Sequence, residues 1–362
     1  MKKHFYWIPA VALWALLAVS AWCLPSQAES DSERRPLAQW PGITVKSLAN
    51  GSFMDNFEDY TLDQFPLRDG FRSLKTIFHT GVMGQQDSNG IYLYNGYAAK
   101  MEYPLNETSI RYALGRFNRI YEKYLTDSKV FMALVPDKNY YLAQESHRMA
   151  MDYETLFSLV RQGMPWAEHI PLTQALSLEN YYRTDTHWRQ ETLFQAAGVI
   201  TEAMGVPAPQ KEAYTSVRLE VPFYGVYHGQ SALPLQPEDL YILESPVLSQ
   251  CIVHDLETGK TMSVYDMTKL SSRDLYDVYL GGAKALLVIE NPAAATDKEL
   301  IVFRDSFGSS MVPLLIPNYA KVTVVDIRYV GTDLLDQFIE FNGQDVLMLY
   351  STLILNSSSA LK

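Results

Sequence analysis

Cysteine is nearly absent from this sequence. Its 362 residues include only Cys23 and Cys251, so neither a disulfide framework nor a cysteine-based metal site can be assembled. The histidines His169, His228 and His254 do not have the spacing of metal ligands either. We therefore predict no metal site.

An excess of basic residues is also absent. The chain has 30 lysines and arginines against 41 aspartates and glutamates, a net charge of −11, whereas nucleic acids are held largely by lysine and arginine. Internal repeats, low-complexity tracts and a glycine-rich phosphate loop are missing as well. These absences argue against a nucleic-acid partner and predict no cofactor. With 48% of its residues hydrophobic, the chain is long enough to form one large packed domain.

The first 28 residues have the features of a targeting segment. Met1–His4 supplies a positive start, Phe5–Leu24 is an almost unbroken apolar run, and the small residues Ser26 and Ala28 suit signal peptidase. An apolar run of about 20 residues fits either a cleaved signal peptide or an uncleaved signal anchor. The alternative, a buried helix of the folded domain, is disfavoured by the basic start. We expect export, to the extracellular face of the cytoplasmic membrane or as a secreted protein, with residues 29–50 as a linker.

Short continuous apolar runs recur in the rest of the chain and indicate buried strands. In the C-terminal part they are separated by helical stretches near residues 308–317 and 332–342, which predicts an α/β fold with a doubly wound, mostly parallel sheet. In such sheets the ligand crevice lies beyond the carboxyl ends of the strands. We expect one domain over residues 51–362, with an irregular insertion at about 206–280 that carries short β-strands. The apolar runs are Val130–Val135, Ala285–Ile289, Leu300–Phe303, Val322–Val325 and Val346–Tyr350.

One candidate nucleophile follows a predicted strand. Ser306 comes just after the run Leu300–Phe303 and just before a predicted helix, so its hydroxyl should face the crevice near backbone N–H groups that can stabilise an oxyanion. We expect those donors to be the N–H groups of Ser306 and Phe307. The alternative is an ordinary helix N-cap, for which serine is a common residue.

A candidate base and its acidic partner lie earlier in the chain. A serine hydroxyl needs a base to become nucleophilic, and a neutral imidazole needs an acidic group that fixes its tautomer. Asp185 and His187, two residues apart, are able to supply both. Alone, the Asp-x-His pattern is also compatible with loop hydrogen bonding or with two metal ligands.

These motifs together resemble the bacterial DHHW family. Tyr182–Trp188 is similar to its Asp-His-His-Trp signature, with Thr186 at the second position. Leu300–Asn356, Phe65–Asp69 and Val135–Lys138 are also similar to that family. Thr186 removes one family histidine but keeps the Asp-x-His spacing.

The resemblance implies a fold and an activity. The family is related to the SGNH-hydrolase-like domains of the alginate O-acetylation proteins AlgJ and AlgX, which act beside a membrane-bound O-acyltransferase. Carried over to this sequence, Asp185 orients, His187 is the base and Ser306 is the nucleophile. The implied function is O-acetyl transfer to a cell-surface or secreted polysaccharide. A carbohydrate esterase and a non-catalytic glycan-binding or assembly protein remain as alternatives.

Two further residues are candidates for contacts with the substrate or the oxyanion. Arg328, just past a predicted strand, could bind a substrate carboxylate or hydroxyl, and the alternative is a structural salt bridge. Asn356, after the last predicted strand, could supply an oxyanion-hole amide, and the alternative is a frayed tail.

Overall fold

The computed structural model describes residues 7–362, which form two compact units. The smaller unit contains the chain up to Asn89 together with residues 228–235, and the larger contains residues 90–227 and 236–362. The sequence had predicted one domain from residue 51 onward, so the observed boundary lies about forty residues later. The basic start Met1–His4 lies outside the described residues.

The smaller unit is mainly helical. Its elements are α1 (Trp7–Cys23), β1 (Glu29–Ser30), β2 (Arg35–Pro36), α2 (Val45–Ala49), α3 (Ser52–Asp63) and α4 (Arg68–Gly81). Within residues 7–362, no helix is both long enough and apolar enough to cross a membrane.

Ion pairs tie the predicted linker to the helices that follow it. Arg35 forms a bidentate pair with Asp63 at the end of α3, with nitrogen–oxygen distances of 2.8 and 2.6 Å. Glu33 pairs with Arg68 and Arg72 of α4. Glu33 and Arg35 therefore attach this part of the predicted linker to residues 63–72.

The larger unit contains the remaining strands and most of the remaining helices. Its strands are β3 (Ile91–Tyr94), β4 (Tyr97–Lys100), β5 (Val130–Val135), β6 (Glu168–Ile170), β7 (Thr215–Phe223), β8 (Glu238–Glu244), β9 (Ile252–Asp255), β10 (Lys260–Met262), β11 (Leu286–Glu290), β12 (Glu299–Arg304), β13 (Lys321–Val325) and β14 (Asp345–Ser351). The helices are α5 (Glu107–Ile120), α6 (Lys138–Ser146), α7 (Tyr153–Gly163), α8 (Phe194–Ala203), α9 (Val226–Ser231), α10 (Gly308–Leu315) and α11 (Thr352–Asn356). The last four residues of α9 belong to the smaller unit.

Eight strands form the main sheet, in the order β10-β9-β11-β13-β12-β14-β5-β6. The five strands from β13 to β6 are parallel, whereas β11, β9 and β10 pair antiparallel. The fold is thus mixed α/β around a large, mostly parallel sheet. The run at residues 285–289 is a strand as predicted, but it is antiparallel, because an apolar run reports burial on both faces and not strand direction.

Both faces of this sheet are covered. Phe131, Ala133 and Val135 of β5 enter one apolar core, while Val130 and Met132 of the same strand enter another. Successive side chains of a strand point to opposite faces, so two cores require packing on each side. This arrangement is the one expected for a doubly wound sheet.

The segment predicted as an irregular insertion contains four strands, in line with the short β-strands expected there. Strands β7 and β8 form an antiparallel ladder, and β9 and β10 extend the main sheet. In β7 the apolar residues Val217, Leu219, Val221 and Phe223 alternate with exposed ones, which is the period-2 pattern of a half-buried strand. The helix predicted near residues 332–342 is instead a 3₁₀ segment, Thr332–Gln337.

Candidate active site

Ser306 lies in the tight turn between β12 and α10. The carboxylate of the buried Asp305 accepts hydrogen bonds from the Phe307 N–H (3.0 Å) and, through its other oxygen, from the Ser351 N–H (2.8 Å) and hydroxyl (2.6 Å). Asp305 thereby joins the turn to the end of the neighbouring strand β14. The Ser306 side chain is left half-buried at the carboxyl end of the parallel strands.

The three predicted catalytic side chains form a continuous hydrogen-bonded chain. His187 Nδ1 lies 2.6 Å from Asp185 Oδ1, and His187 Nε2 lies 2.8 Å from Ser306 Oγ. In the tautomer that suits both contacts, Nδ1–H donates to the carboxylate and Nε2 accepts from the serine hydroxyl. Asp185 Oδ1 also accepts the backbone N–H of His187 at 2.9 Å, which fixes the short Asp-x-His turn. Thr186, between them, leaves this geometry intact.

Aromatic rings hold the imidazole in place. The ring of Tyr276 stacks on His187 with a centroid separation of 4.0 Å and an interplanar angle of 9°. Phe307 approaches the same imidazole with a centroid separation of 5.0 Å. Burial raises the pKa of Tyr276 well above its ordinary value, so its hydroxyl stays protonated beside Ser310 Oγ, 2.6 Å away. The imidazole is therefore confined to the plane in which it meets Ser306.

The residues that follow His187 anchor the helix that follows Ser306. Trp188 Nε1–H donates to the Phe307 carbonyl (3.0 Å) and to Ser310 Oγ (2.8 Å). Gln190 Nε2–H donates to the Ser310 carbonyl at 2.9 Å. All of these groups are buried, so each bond is costly to lose. These bonds hold the base and the nucleophile close together although 119 residues separate them in sequence.

The predicted pair of oxyanion donors is only partly supported. The Phe307 N–H is already bound to Asp305 Oδ1, so it does not point freely toward the crevice. Among the described residues, no protein acceptor takes the Ser306 N–H. The turn therefore offers the Ser306 N–H as a backbone donor beside the serine hydroxyl, while the Phe307 N–H is engaged within the turn.

Arg328 and Asn356 are engaged in structural contacts. Arg328 pairs with the fully buried Asp326 through Nε (2.9 Å) and Nη2 (2.6 Å), which is the salt-bridge alternative. Asn356 accepts the Asn106 N–H at 2.7 Å and donates to the Pro104 carbonyl at 3.2 Å. Both ends of the Asn356 amide are thus taken, and the structure does not support an oxyanion role for it.

Sequence reasoning missed the residues that hold Asp185 from the side. Asp185 Oδ2 accepts the Val226 N–H at 2.7 Å, and the Gly225 N–H donates to Thr184 Oγ1 at 3.0 Å. A Cβ at Gly225 would lie 2.3 Å from backbone atoms of Thr184 and Asp185, so only glycine fits there. Both residues belong to the segment predicted as irregular, and the Tyr-Gly-Val-Tyr sequence around Gly225 was the only available signal.

The buried side chain of Lys138 lies close enough to Asp185 to interact with its charge. Burial lowers the pKa of Lys138 to about 7, while the negative charges of Asp185, Glu238 and Asp137 act in the opposite direction. Burial likewise raises the pKa of Asp137 to about 6, against hydrogen bonds from Thr352 and Tyr153 that lower it.

Comparisons with known proteins agree with the fold and the motifs. Residues 174–325 match the profile of a family described as DHHW protein. A DHHW family protein from Eubacterium siraeum aligns with a TM-score of 0.62 and 20% identity, covering 76% of this chain and 94% of its own. Bacillus cereus PatB1 aligns with a TM-score of 0.56 and 17% identity, covering 73% and 96%. PatB1 with a sulfonyl adduct aligns almost equally well, with a TM-score of 0.55.

A sequence search of curated proteins gave no match. At these identities the two structural neighbours share the fold, while the family match rests on the sequence itself. The matched segment contains Asp185, His187 and Ser306. The resemblance of this chain to the DHHW family is therefore confirmed.

Proposed function

We propose that this protein is an O-acetyltransferase that acts on a polysaccharide outside the cytoplasm. Ser306 is the nucleophile, His187 the general base and Asp185 the group that orients the base. The observation that carries the proposal is the unbroken chain of hydrogen bonds from Asp185 Oδ1 through His187 to Ser306 Oγ, at 2.6 and 2.8 Å. Catalytic groups within hydrogen-bond reach meet the first geometric requirement for base catalysis.

The first half of the reaction acylates the serine. His187 Nε2 takes the Ser306 proton as Oγ attacks the acyl carbonyl carbon, and the carbonyl oxygen becomes an oxyanion near the Ser306 N–H. When the intermediate collapses, the bond to the leaving group breaks and His187 returns the proton to that group. Asp185 stabilises the imidazolium that exists between the two steps.

The second half transfers the acyl group to the acceptor. A polysaccharide hydroxyl gives its proton to His187 and attacks the Ser306 ester, and collapse of the second intermediate returns the proton to Ser306. If water takes the place of the sugar, the same site is an esterase. The DHHW resemblance and its relation to alginate O-acetylation favour the sugar acceptor.

The non-catalytic alternative predicts that the three side chains lie apart. Their distances of 2.6 and 2.8 Å argue against it. Burial argues in the same direction, because fully buried Asp185 sits next to an imidazole that is 7% exposed, an arrangement costly to maintain without a use for the charge.

The location and the acyl donor are part of the same proposal. The apolar run Phe5–Leu24 after a basic start supports export, and we propose that the protein works at or beyond the outer face of the cytoplasmic membrane. A membrane-bound O-acyltransferase is the proposed source of acyl groups, by analogy with the related alginate proteins.

The decisive experiment measures turnover of a chromogenic acetyl ester, with and without a soluble polysaccharide. Wild-type full-length protein should release the chromophore, and Ser306→Ala should lose about 10⁴-fold or more of that rate. Ser249→Ala, which removes an exposed serine hydroxyl elsewhere, is the matched control and should keep wild-type activity.

The products separate the candidate functions. Acetyl groups found on the polysaccharide support transfer. Release of acetate alone, both with and without the polysaccharide, supports the esterase. No turnover and no covalent labelling of Ser306 by a sulfonyl fluoride, from protein with a normal circular dichroism spectrum, would refute the enzyme proposal. A sulfonyl reagent is chosen because a sulfonyl adduct was captured in PatB1.

A further inference from the structure

An acidic side chain binds the backbone N–H groups of the turn just before Asp185. Glu238, at the start of β8, accepts the Arg183 N–H at 2.8 Å through one oxygen. Its other oxygen accepts the Thr184 N–H and the Thr184 hydroxyl, both at 2.7 Å. Hydrogen bonds to a charged acceptor are the stronger kind, so this carboxylate fixes two consecutive peptide groups.

A basic side chain holds the carbonyl side of the same turn. Lys138, which opens α6 directly after β5, is only 2% exposed. Its Nζ donates to the Tyr182 carbonyl at 2.9 Å and to the Arg183 carbonyl at 3.2 Å. The same Nζ lies 4.8 Å from the ring centroid of Tyr227, where a cation is attracted by the ring face.

Few other groups compete for this turn. The Arg183 carbonyl also accepts the Ala98 N–H at 2.8 Å, and the Thr184 carbonyl accepts the Tyr227 N–H at 3.0 Å. The Tyr182 carbonyl, three residues before Asp185, accepts a hydrogen bond from Lys138 Nζ. Burying an ammonium ion costs several kcal/mol unless partners compensate for it, and here the two carbonyls and the Tyr227 ring are those partners.

We propose that Lys138 and Glu238 are the positioning residues of this site. Lys138 donates to the carbonyls of residues 182 and 183, and Glu238 accepts the N–H groups of residues 183 and 184. Together they fix the direction in which Asp185 and His187 face Ser306. The inference rests on the proposed function, since it assigns a role in the reactivity of Ser306. The hydrogen bonds of both side chains go to residues 182–184 and not to His187 or Ser306.

The charge of Lys138 gives this role a signature that ordinary packing lacks. Burial lowers the pKa of Lys138 to about 7, and Asp185, Glu238 and Asp137 are the acidic groups that act on it, with the Tyr227 phenol as the other titratable neighbour. Below pH 7 the amine is an ammonium ion with three N–H donors. As pH rises above 7 it loses its charge and one donor, so its hold on the two carbonyls weakens.

The test is the second-order rate constant for modification of Ser306 by phenylmethanesulfonyl fluoride between pH 5.5 and 9.5. Wild-type full-length protein should show a rate that falls above about pH 7. Lys138→Met should react about 10- to 100-fold more slowly at pH 6.5, because a displacement of the catalytic groups by about 1 Å lowers the rate by about this factor. The variant should also lack the fall above pH 7, because it has no amine to lose its charge. Lys138→Arg, which stays charged, should recover part of the rate and keep it at high pH.

Two further variants make the result independent of folding defects. Glu238→Gln should slow the modification about 10-fold and should keep the fall with rising pH but move it to lower pH, because Lys138 is still present but has lost a negative charge that raises its pKa. Lys129→Met, which removes an exposed lysine paired with Glu168, is the matched control and should behave as wild type. Thermal unfolding of every variant is measured in parallel.

The proton between His187 Nδ1 and Asp185 provides a second readout that does not require Ser306 to react. Wild type should give a strongly downfield proton resonance, and Lys138→Met should lose or shift it. A folded Lys138→Met that matches wild type in rate, pH profile and resonance overturns the inference; if it does not fold, Glu238→Gln decides by the same measurements. Failure of wild-type Ser306 to react while the resonance still depends on Lys138 refutes the proposed function alone.

Discussion

Replacing Gly225 by alanine should damage both the stability and the reactivity of the protein, for a purely steric reason. The added Cβ would lie 2.3 Å from Asp185 N and from Thr184 C and O. These are backbone atoms, so no side-chain rotation can relieve the contact. The two segments must separate by about 1.2–1.7 Å to reach the ordinary van der Waals distance of about 3.5–4.0 Å.

That separation breaks two hydrogen bonds. The Val226 N–H donates to Asp185 Oδ2 at 2.7 Å, and a bond to a charged group contributes about 1.5–3 kcal/mol. The bond from the Gly225 N–H to Thr184 Oγ1, 3.0 Å long, adds about 0.5–1.5 kcal/mol. We therefore expect the free energy of unfolding to fall by about 2–4 kcal/mol. Because Asp185 orients the base, the acylation rate of Ser306 should fall about 100-fold.

Denaturant unfolding and the sulfonyl-labelling rate are the two assays. Gly115→Ala is the matched control, because this glycine lies in α5 and an added Cβ there would meet nothing within 4 Å. The same substitution in an open helical position should raise the free energy of unfolding by about 0.5–1 kcal/mol and leave labelling unchanged. Wild-type stability and labelling in Gly225→Ala would show that the close approach of residues 184–185 and 225 does not exist in solution.

Two other substitutions test the surroundings of the site. Asn356→Ala should lower the free energy of unfolding by about 1 kcal/mol, because its side-chain amide hydrogen-bonds the loop of residues 104–106. Ester hydrolysis should stay within about twofold of wild type. A loss of hydrolysis above about 10-fold would support an oxyanion role for Asn356. Burial raises the pKa of Asp137 to about 6, so the native state keeps a proton that the unfolded chain has lost above about pH 4. The free energy of unfolding should then fall by about 2–3 kcal/mol as pH rises from about 4 to about 6, and Asp137→Asn should lack this part of the fall in urea titrations; an unchanged pH slope in the variant would contradict this assignment.

The sequence predicted the strands of the sheet centre well. Val130–Val135 is a strand with the bounds expected, and β12, β13 and β14 differ from the predicted runs by at most one residue at each end, whereas the short parallel strand β6 was not predicted. Fully buried strands are read from local composition alone, because each residue in them must be apolar. The direction of the strand at Leu286–Glu290 was not readable in this way, because it depends on how the chain returns to the sheet.

The candidate catalytic residues were also found from local patterns. An Asp-x-His pair and a serine after a strand are short motifs, and their chemistry follows from residue type. That they meet at 2.6 and 2.8 Å was decided by the packing of Trp188 and Gln190 against the helix after Ser306.

Other features of the site came only from the tertiary structure. Asp305 accepts the N–H and hydroxyl of Ser351, and the Gly225–Val226 segment, Lys138 and Glu238 hold the turn that carries Asp185. The sequence by itself determined which residues can perform the chemistry, since that is a property of each side chain. The fold decided which backbone groups are free and which charges hold them, because these depend on contacts between residues that lie 41 to 54 positions apart in the chain.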